Sequence, residues 1–325
     1  MAFQFTCPHC DAKFSVDESY RGRAGSCAEC GKPIVMPGRA SESSQVAAEA
    51  ADAERFAAAR RRGRRAAVLA RVASGVAAVV LLVLLAFAYQ AWVAPALQVA
   101  RAKREAQASA GNLKRIADAL EAYATEYGTY PPPAVLDAAG KPLLSWRVLI
   151  LPQLGREDLF RRFRLDEHYN SPHNSELQWQ MPLQFQGDRS SAIVSGIDTL
   201  YTLITGEGTL FPATGPLGPA DVSDNPKTTI LLTEGNRTVN LWTAPEDLTL
   251  TRSIAVSGDA NLGIGAGRPF VATAIGVAGN PLYLPNNLGA QELRGLITPR
   301  GGEFSPSPSN AWFDLDKAFE MVTGR

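Results

Sequence analysis

The chain has 325 residues, with 32 Lys/Arg against 32 Asp/Glu and an apolar share of 46%. The zero balance hides a split: residues 1–71 carry 12 Lys/Arg against 8 Asp/Glu and the remainder 20 against 24, so the neutral isoelectric point describes neither half. All four cysteines precede residue 31. That excludes a disulfide framework for the long C-terminal part, whose roughly 200 residues suffice for an apolar core, and it fits a reducing compartment for the N-terminal part.

Residues 1–38 hold Cys7-Pro-His-Cys10 and Cys27-Ala-Glu-Cys30, with sixteen residues between the pairs. Two Cys-x-x-Cys knuckles at this spacing aim four thiolates at one ion, the pattern of a zinc ribbon. Four thiolates close a tetrahedral shell and leave no position for substrate, so the expected zinc, one per chain, is structural. Its binding supplies stability that so small a module cannot draw from burial, ~10–16 kcal/mol apparent. Phe3, Phe5, Phe14, Ile34 and Val35 are the candidate core, and His9 is a spacer outside the shell. A redox Cys-x-x-Cys pair is the competing reading. The stretch from Phe5 to Pro37 resembles the short zinc ribbons at the N-terminus of many bacterial membrane proteins. The resemblance implies a binding module for protein or nucleic acid.

Residues 39–65 form a basic, Ala-rich linker, read as a tether whose second part has helix-forming composition, interrupted at Gly63. Residues 66–94 hold the transmembrane helix. From Val72 to Val93 there is no charge and a single Gln, long enough for a bilayer core of ~30 Å. A helix apolar all round needs either lipid or a complete protein shell. Arg60, Arg61, Arg62, Arg64, Arg65 and Arg71 precede the span, and Arg101, Lys103 and Arg104 follow it. This bias predicts a single-pass inner-membrane protein with a cytoplasmic N-terminus and the C-terminal domain outside. The basic side faces anionic lipid, with nucleic acid the rival partner.

Residues 95–128 extend the helix beyond a kink expected at Pro95. Leu113, Ile116, Ala117, Leu120, Ala124 and Tyr127 mark one apolar stripe, Gly128 is placed as the C-terminal cap, and Pro131 to Pro133 prevent continuation. A membrane helix running into Asn112 to Pro133 resembles the spine of type IV pilins and type II secretion pseudopilins. More narrowly, several further stretches resemble a large prepilin-like family of planctomycete-type bacteria, domain of unknown function 1559. They are Gly140 to Gly155, Leu159 to Asn174, Lys227 to Gly235, Leu241 to Leu248 and Glu292 to Glu303. The resemblance implies a pseudopilin-like domain over residues 129–305, with a tail over 306–325. Members carry a prepilin leader and an acid just inside the span. Here Arg64 and Arg65 follow Gly63 and no acid opens the span, which predicts an unprocessed chain of 325 residues. Members also end in a His/Gly-rich turn and an Asp-Gly-Ser hairpin, absent from the stretch Pro269 to Asn287.

The expected fold is α+β: a long pilin-like spine helix packed on a loop-rich small sheet domain, plus the separate four-cysteine zinc ribbon. Glu157 to Leu165 and Ser171 to Gln180 read as helices, the second capped by Ser171 with Pro172 at its first position. Thr199 to Ile204, Thr229 to Thr233, Val239 to Trp242 and Phe270 to Val277 read as strands, and Leu288 to Ile297 as a closing helix.

Catalytic groups are sparse. His168 and His173 are separated by helix-breaking Asn170 to Pro172, which argues against a metal pair. Gly263, Gly265 and Gly267 do not have the dinucleotide spacing. Glu246/Asp247 and Asp221/Asp224 are carboxylate pairs of the kind that hold calcium or share acid–base work, though solvated loops carry them routinely. Glu234 follows the apolar run Ile230 to Thr233 and, if buried, needs a raised pKa or a cation partner. No small-molecule substrate is evident. The reading is a non-enzymatic, membrane-anchored envelope protein with a protein partner. The alternative is a transmembrane regulator or sensor whose ribbon binds a cytoplasmic protein or nucleic acid. An extracytoplasmic hydrolase ranks last.

Overall fold

The computed structural model describes residues 1–38, 40–187, 196–235, 240–251, 254–256, 263–265, 270–301 and 313–324. The described residues are mixed helix and sheet, 44% helical and 19% strand. It divides into two compact units, Met1–Tyr89 and Gln90–Arg325. Val239, Gly267 and the start of the tail, all singled out above, lie outside the described residues.

The first unit begins with two antiparallel hairpins, Ala2–Thr6 with Lys13–Asp17 and Ala24–Ser26 with Pro33–Val35. Phe5 and Ile34 are buried with Cys7 and Cys27, and Phe3, Phe14, Val16 and Met36 pack around them. Val35, expected in this core, is exposed instead. Strand side chains alternate between faces, so only one of the neighbours Ile34 and Val35 can point inward. From Ala40 to Ala88 the chain is one helix. The expected interruption at Gly63 is therefore absent. One glycine costs a helix about 1 kcal/mol, and the Ala and Arg residues around it favour helix.

The helical run Asp52–Tyr127 is long and apolar enough to cross a membrane, with a window of mean hydropathy 2.5 that is 0% buried. Before Pro95 the backbone widens into a π-helical turn, Tyr89–Val93, and α-helix resumes over Ala94–Tyr127. Pro95 has no N–H, and its ring collides with the carbonyl four residues back. A π turn absorbs both faults without ending the helix.

In the second unit the spine helix Ala94–Tyr127 buries Ala102, Ala106, Ala110, Leu113, Ile116, Ala117, Leu120 and Ala124, at spacings of three and four. Tyr127, the expected end of this stripe, is 59% exposed. Tyr130, after the chain has turned, is fully buried in the core. Gly128 makes that turn as expected, with φ +83° and its N–H donating to Ala124 O at 2.8 Å.

The spine packs on a four-stranded antiparallel sheet of neighbouring strands Pro281–Pro285, Val271–Gly276, Ile230–Glu234 and Tyr201–Thr202. Pro281 and Pro285 confine the first of these, missed in the sequence, to the edge, since proline cannot donate to a ladder. The expected strand Thr199 to Ile204 breaks into three pieces: Asp198–Thr199 pairs with Asn240–Leu241, Tyr201–Thr202 joins the main sheet, and Ile204–Thr205 runs parallel to Leu248–Thr249. The main core lies on the spine side, around Leu113, Ile116, Leu120, Trp146, Phe185 and Trp242. A second core joins Ile230, Ala272, Ala274 and Leu282 to Leu293, Leu296 and Ile297 of the helix Ala290–Ile297. In the tail, Leu315–Thr323 forms a helix. Its Leu315, Ala318 and Phe319 pack with Ala102, Ala106 and Ala110, and Lys103 pairs with Asp316 at 2.6 Å.

Candidate metal centre

The two knuckles are built alike. Cys7 N–H donates to Ala12 O and Asp11 N–H to Cys7 O, at 2.9 and 3.0 Å. Twenty residues on, Cys27 N–H donates to Lys32 O and Gly31 N–H to Cys27 O, both at 2.9 Å. The residue after the second cysteine turns left-handed in each knuckle, Asp11 with φ 54° and Gly31 with φ 69°. Asp tolerates that region better than most side chains, and glycine without penalty.

Each hairpin thus delivers a pair of sulfurs to one point. Cys7 Sγ lies 3.9 Å from Cys30 Sγ, and Cys10 Sγ lies 3.7 Å from Cys27 Sγ. All four ligand atoms fall within 4.8 Å of one another. A Zn–S bond of about 2.3 Å in a tetrahedron gives a sulfur–sulfur edge of about 3.8 Å. The donor set therefore fits a zinc-sized, thiophilic ion. His9 is directed elsewhere, its Nε2 3.2 Å from Pro33 O. The Cys30 backbone N–H holds the Cys27 thiol down at about 7, against desolvation. At Cys10 the Ala12 N–H also pulls down, but desolvation and the three neighbouring thiols push it up to about 12. A cation would resolve the conflict, because it would hold all four as thiolates.

The other candidates are found in structural roles. His173 Nε2 is 2.8 Å from Arg162 O, and His168 contacts Asn170 Oδ1 through Nδ1. Asp221 pairs with Arg300 at 2.6 Å and accepts the Gly218 N–H, while Asp224 accepts the Gly301 N–H. These carboxylates tie one loop to the segment after the closing helix. Glu234 is fully buried. It accepts from Ser109 Oγ on the spine and from Thr273 N, the latter at 3.0 Å, so it joins the spine to the sheet.

Glu246 is exposed, whereas the Asp247 side chain is 3% exposed and 3.0 Å from the fully buried Arg147. Burial lowers the Arg147 pKa and Asp247 partly restores it. Arg147 also donates to Tyr201 O through Nε at 3.2 Å and Nη2 at 2.6 Å, and through Nη1 to Ser145 Oγ at 2.7 Å. Sequence reasoning passed over Arg147. The only signal was a cation inside the apolar run from Leu143 to Leu151.

Residues 98–236 match the model of a family described as a protein of unknown function (DUF1559). The match takes in most of the spine, Arg147, Tyr201 and Glu234, and stops short of Asp247. No curated protein matches the chain, and no solved structure does.

Proposed function

We propose that the protein is a non-enzymatic envelope protein anchored in the inner membrane by a single helix. Its zinc ribbon lies in the cytoplasm and its pseudopilin-like domain outside, where it meets a protein partner. The observation that carries this reading is the division of one helical run into two regimes. The apolar window is 0% buried, whereas Ala106, Leu113, Ile116, Ala117 and Leu120 of the same run are sealed in a core. Lipid is the solvent that suits the first regime. The arginines from Arg60 to Arg71 favour the cytoplasmic side for the N-terminus. A non-enzymatic role is supported by Asp221, Asp224 and Asp247, which hold loops or core together.

Alkaline phosphatase fused after Gly140 is expected to be active and fused after Gly38 inactive; the reverse pattern overturns the topology. Intact-mass analysis of membrane-extracted protein should show residues 1–63 retained. A dominant species beginning at Arg64 would make the protein a processed filament subunit.

A second reading, a transmembrane regulator, draws on the ribbon's charge. Residues 1–38 carry four Lys/Arg and four Asp/Glu. A zinc ion with four thiolates adds a net of −2, which disfavours nucleic acid and leaves a cytoplasmic protein as the partner. Crosslinking of the full-length protein in cells, followed by capture through the ribbon, separates the two. A purely architectural ribbon brings down no cytoplasmic regulator.

A further inference from the structure

The hairpin of Ala134–Leu136 with Pro142–Ser145 has one open edge. Trp146 N–H donates to Pro133 O at 3.1 Å, and Asp137 N–H to Lys141 O at 3.0 Å. An antiparallel ladder alternates bonded with non-bonded pairs. Ala134 and its opposite Ser145 are therefore a non-bonded pair, and the Ser145 N–H indeed turns away, to Thr243 O at 3.0 Å. Past the bulge, Leu136 and Pro142 are non-bonded in the same way. Ala134 and Leu136 thus send N–H and C=O outward from the hairpin, and no described residue bonds to these groups.

The setting of this edge is unusual. Ala134 and Leu136 line an open groove of about 680 Å³. Nearby, Tyr130 N–H donates to Leu217 O at 3.0 Å. Pro131, Pro132 and Pro133 follow and have no N–H, so that pairing cannot extend towards Ala134. The segment from Phe211 to Pro216, which also lines the groove, is folded on itself. Gly215 N–H donates to Pro212 O and Leu217 N–H to Leu210 O, at 3.1 and 2.9 Å. The segment therefore sends no bond to Ala134 or Leu136, and it offers Phe211, Pro212 and Pro216 as apolar wall. Leu136 is itself 56% exposed.

We propose that an extended polypeptide segment of a partner protein docks here as an added strand on Ala134–Leu136. The outward groups recur at every second residue, about 6.6–6.8 Å apart. Another extended main chain carries N–H and C=O at the same interval. Main-chain bonds to Ala134 and Leu136 set the register, and apolar side chains at alternate positions lie on Phe211 and the prolines. Proline walls are rigid, so little side-chain entropy is lost on docking. The edge is recessed in the groove, so it admits one free extended chain and not the like edge of a second copy. The proposal deepens the reading above: it names the chemistry of the protein partner and rests on that reading for there being one.

Random heptapeptides displayed on phage, panned against the full-length protein in non-ionic detergent, test the proposal. Enriched peptides are expected to bind at about 1–100 μM by fluorescence polarisation. N-methylation at alternate peptide positions should weaken binding about tenfold or more, while N-methylation at the intervening positions is tolerated. Ala134→Pro deletes an outward donor and no bond of the hairpin, and is expected to weaken binding about three- to tenfold. Ala213→Trp, at an exposed position of the groove, is expected to abolish it. The proposal is overturned if no peptide is enriched on the parent over the Ala213 variant, or if N-methyl sensitivity lacks a two-residue period. Affinity unchanged in both variants also overturns it. So does a dimer in analytical ultracentrifugation that Ala134→Pro dissolves, which would give the edge to a second copy. None of these outcomes bears on the phosphatase fusions, which test the topology separately.

Discussion

Asp247 accepts the Arg147 guanidinium at 3.0 Å although the two residues are 100 positions apart. The same guanidinium reaches Tyr201 O on the sheet and Ser145 Oγ at the start of the helix Trp146–Leu149. One side chain therefore holds three segments of the second unit. Removing one partner of a buried pair leaves the other charge uncompensated, at a cost of about 3–5 kcal/mol. Arg147→Met should lose that much in urea unfolding followed by tryptophan fluorescence. Arg147→Lys should not restore it, since an ammonium lacks the planar fork that spans the three acceptors. Full stability with Lys would mean that charge alone matters.

Zinc should be present at one ion per chain. Cys27→Ser removes a sulfur from the tetrahedron and is expected to release the metal and unfold the ribbon, because metal binding and folding are the same transition in such modules. His9→Ala removes only a contact to Pro33 O and should leave the metal content unchanged. Elemental analysis reads both, and metal loss in the His9 variant would place the imidazole in the shell.

Glu121 accepts the Tyr130 O–H at the end of the spine. Desolvation raises the Glu121 pKa; the Tyr130 hydrogen bond opposes this and the Asp118 charge adds to it. Desolvation, and then Glu121 itself, also raises Tyr130. A Glu whose folded pKa is raised binds its proton more tightly in the folded state. Its stabilising contribution is complete below the unfolded value of about 4.3 and is lost as pH rises through the folded value. Glu121→Gln keeps an acceptor for Tyr130 and cannot ionise. It should be more stable than the parent at pH 7, with the gap closing as pH falls below about 4. Parallel thermal melts at the two pH values check this, and a gap that widens in acid would reverse the sign.

Gly218 lies against the end of the spine. A Cβ built there would stand 2.5 Å from Gly128 O, a backbone atom that cannot swing aside. Gly218→Ala is therefore expected to cost about 1–3 kcal/mol by overpacking. Gly140, with φ +80° and open space around its Cβ position, is the contrast. Alanine there should cost only the smaller penalty of a left-handed backbone, about 1 kcal/mol. Chemical denaturation of the two variants ranks them, and the opposite order would mean that the Gly128 turn yields.

Legible features depended on neighbours in the chain. Cys7, Cys10, Cys27 and Cys30 declare a metal site because each knuckle is four residues long and one ion needs two of them. The stripe from Leu113 to Ala124 declares a buried helix face because helical period is local, and the uncharged run from Val72 to Val93 declares a membrane-length helix. Gly128 and Ser171 mark helix ends through bonds to residues three or four positions away.

Contacts across long separations were decided by tertiary structure alone. Nothing near Asp247 announces that its partner is Arg147, or that Trp146, Thr202 and Leu203 all donate to one of its oxygens and none to the other. Glu234 read as an isolated carboxylate until the spine brought Ser109 to it. The Thr199 to Ile204 stretch has strand composition throughout, yet it serves three separate pairings, because the partners Asn240–Leu241, Ile230–Glu234 and Leu248–Thr249 arrive from different directions. Composition and period set which backbone states a segment can adopt; which distant segment satisfies its hydrogen bonds and charges is settled only when the chain packs.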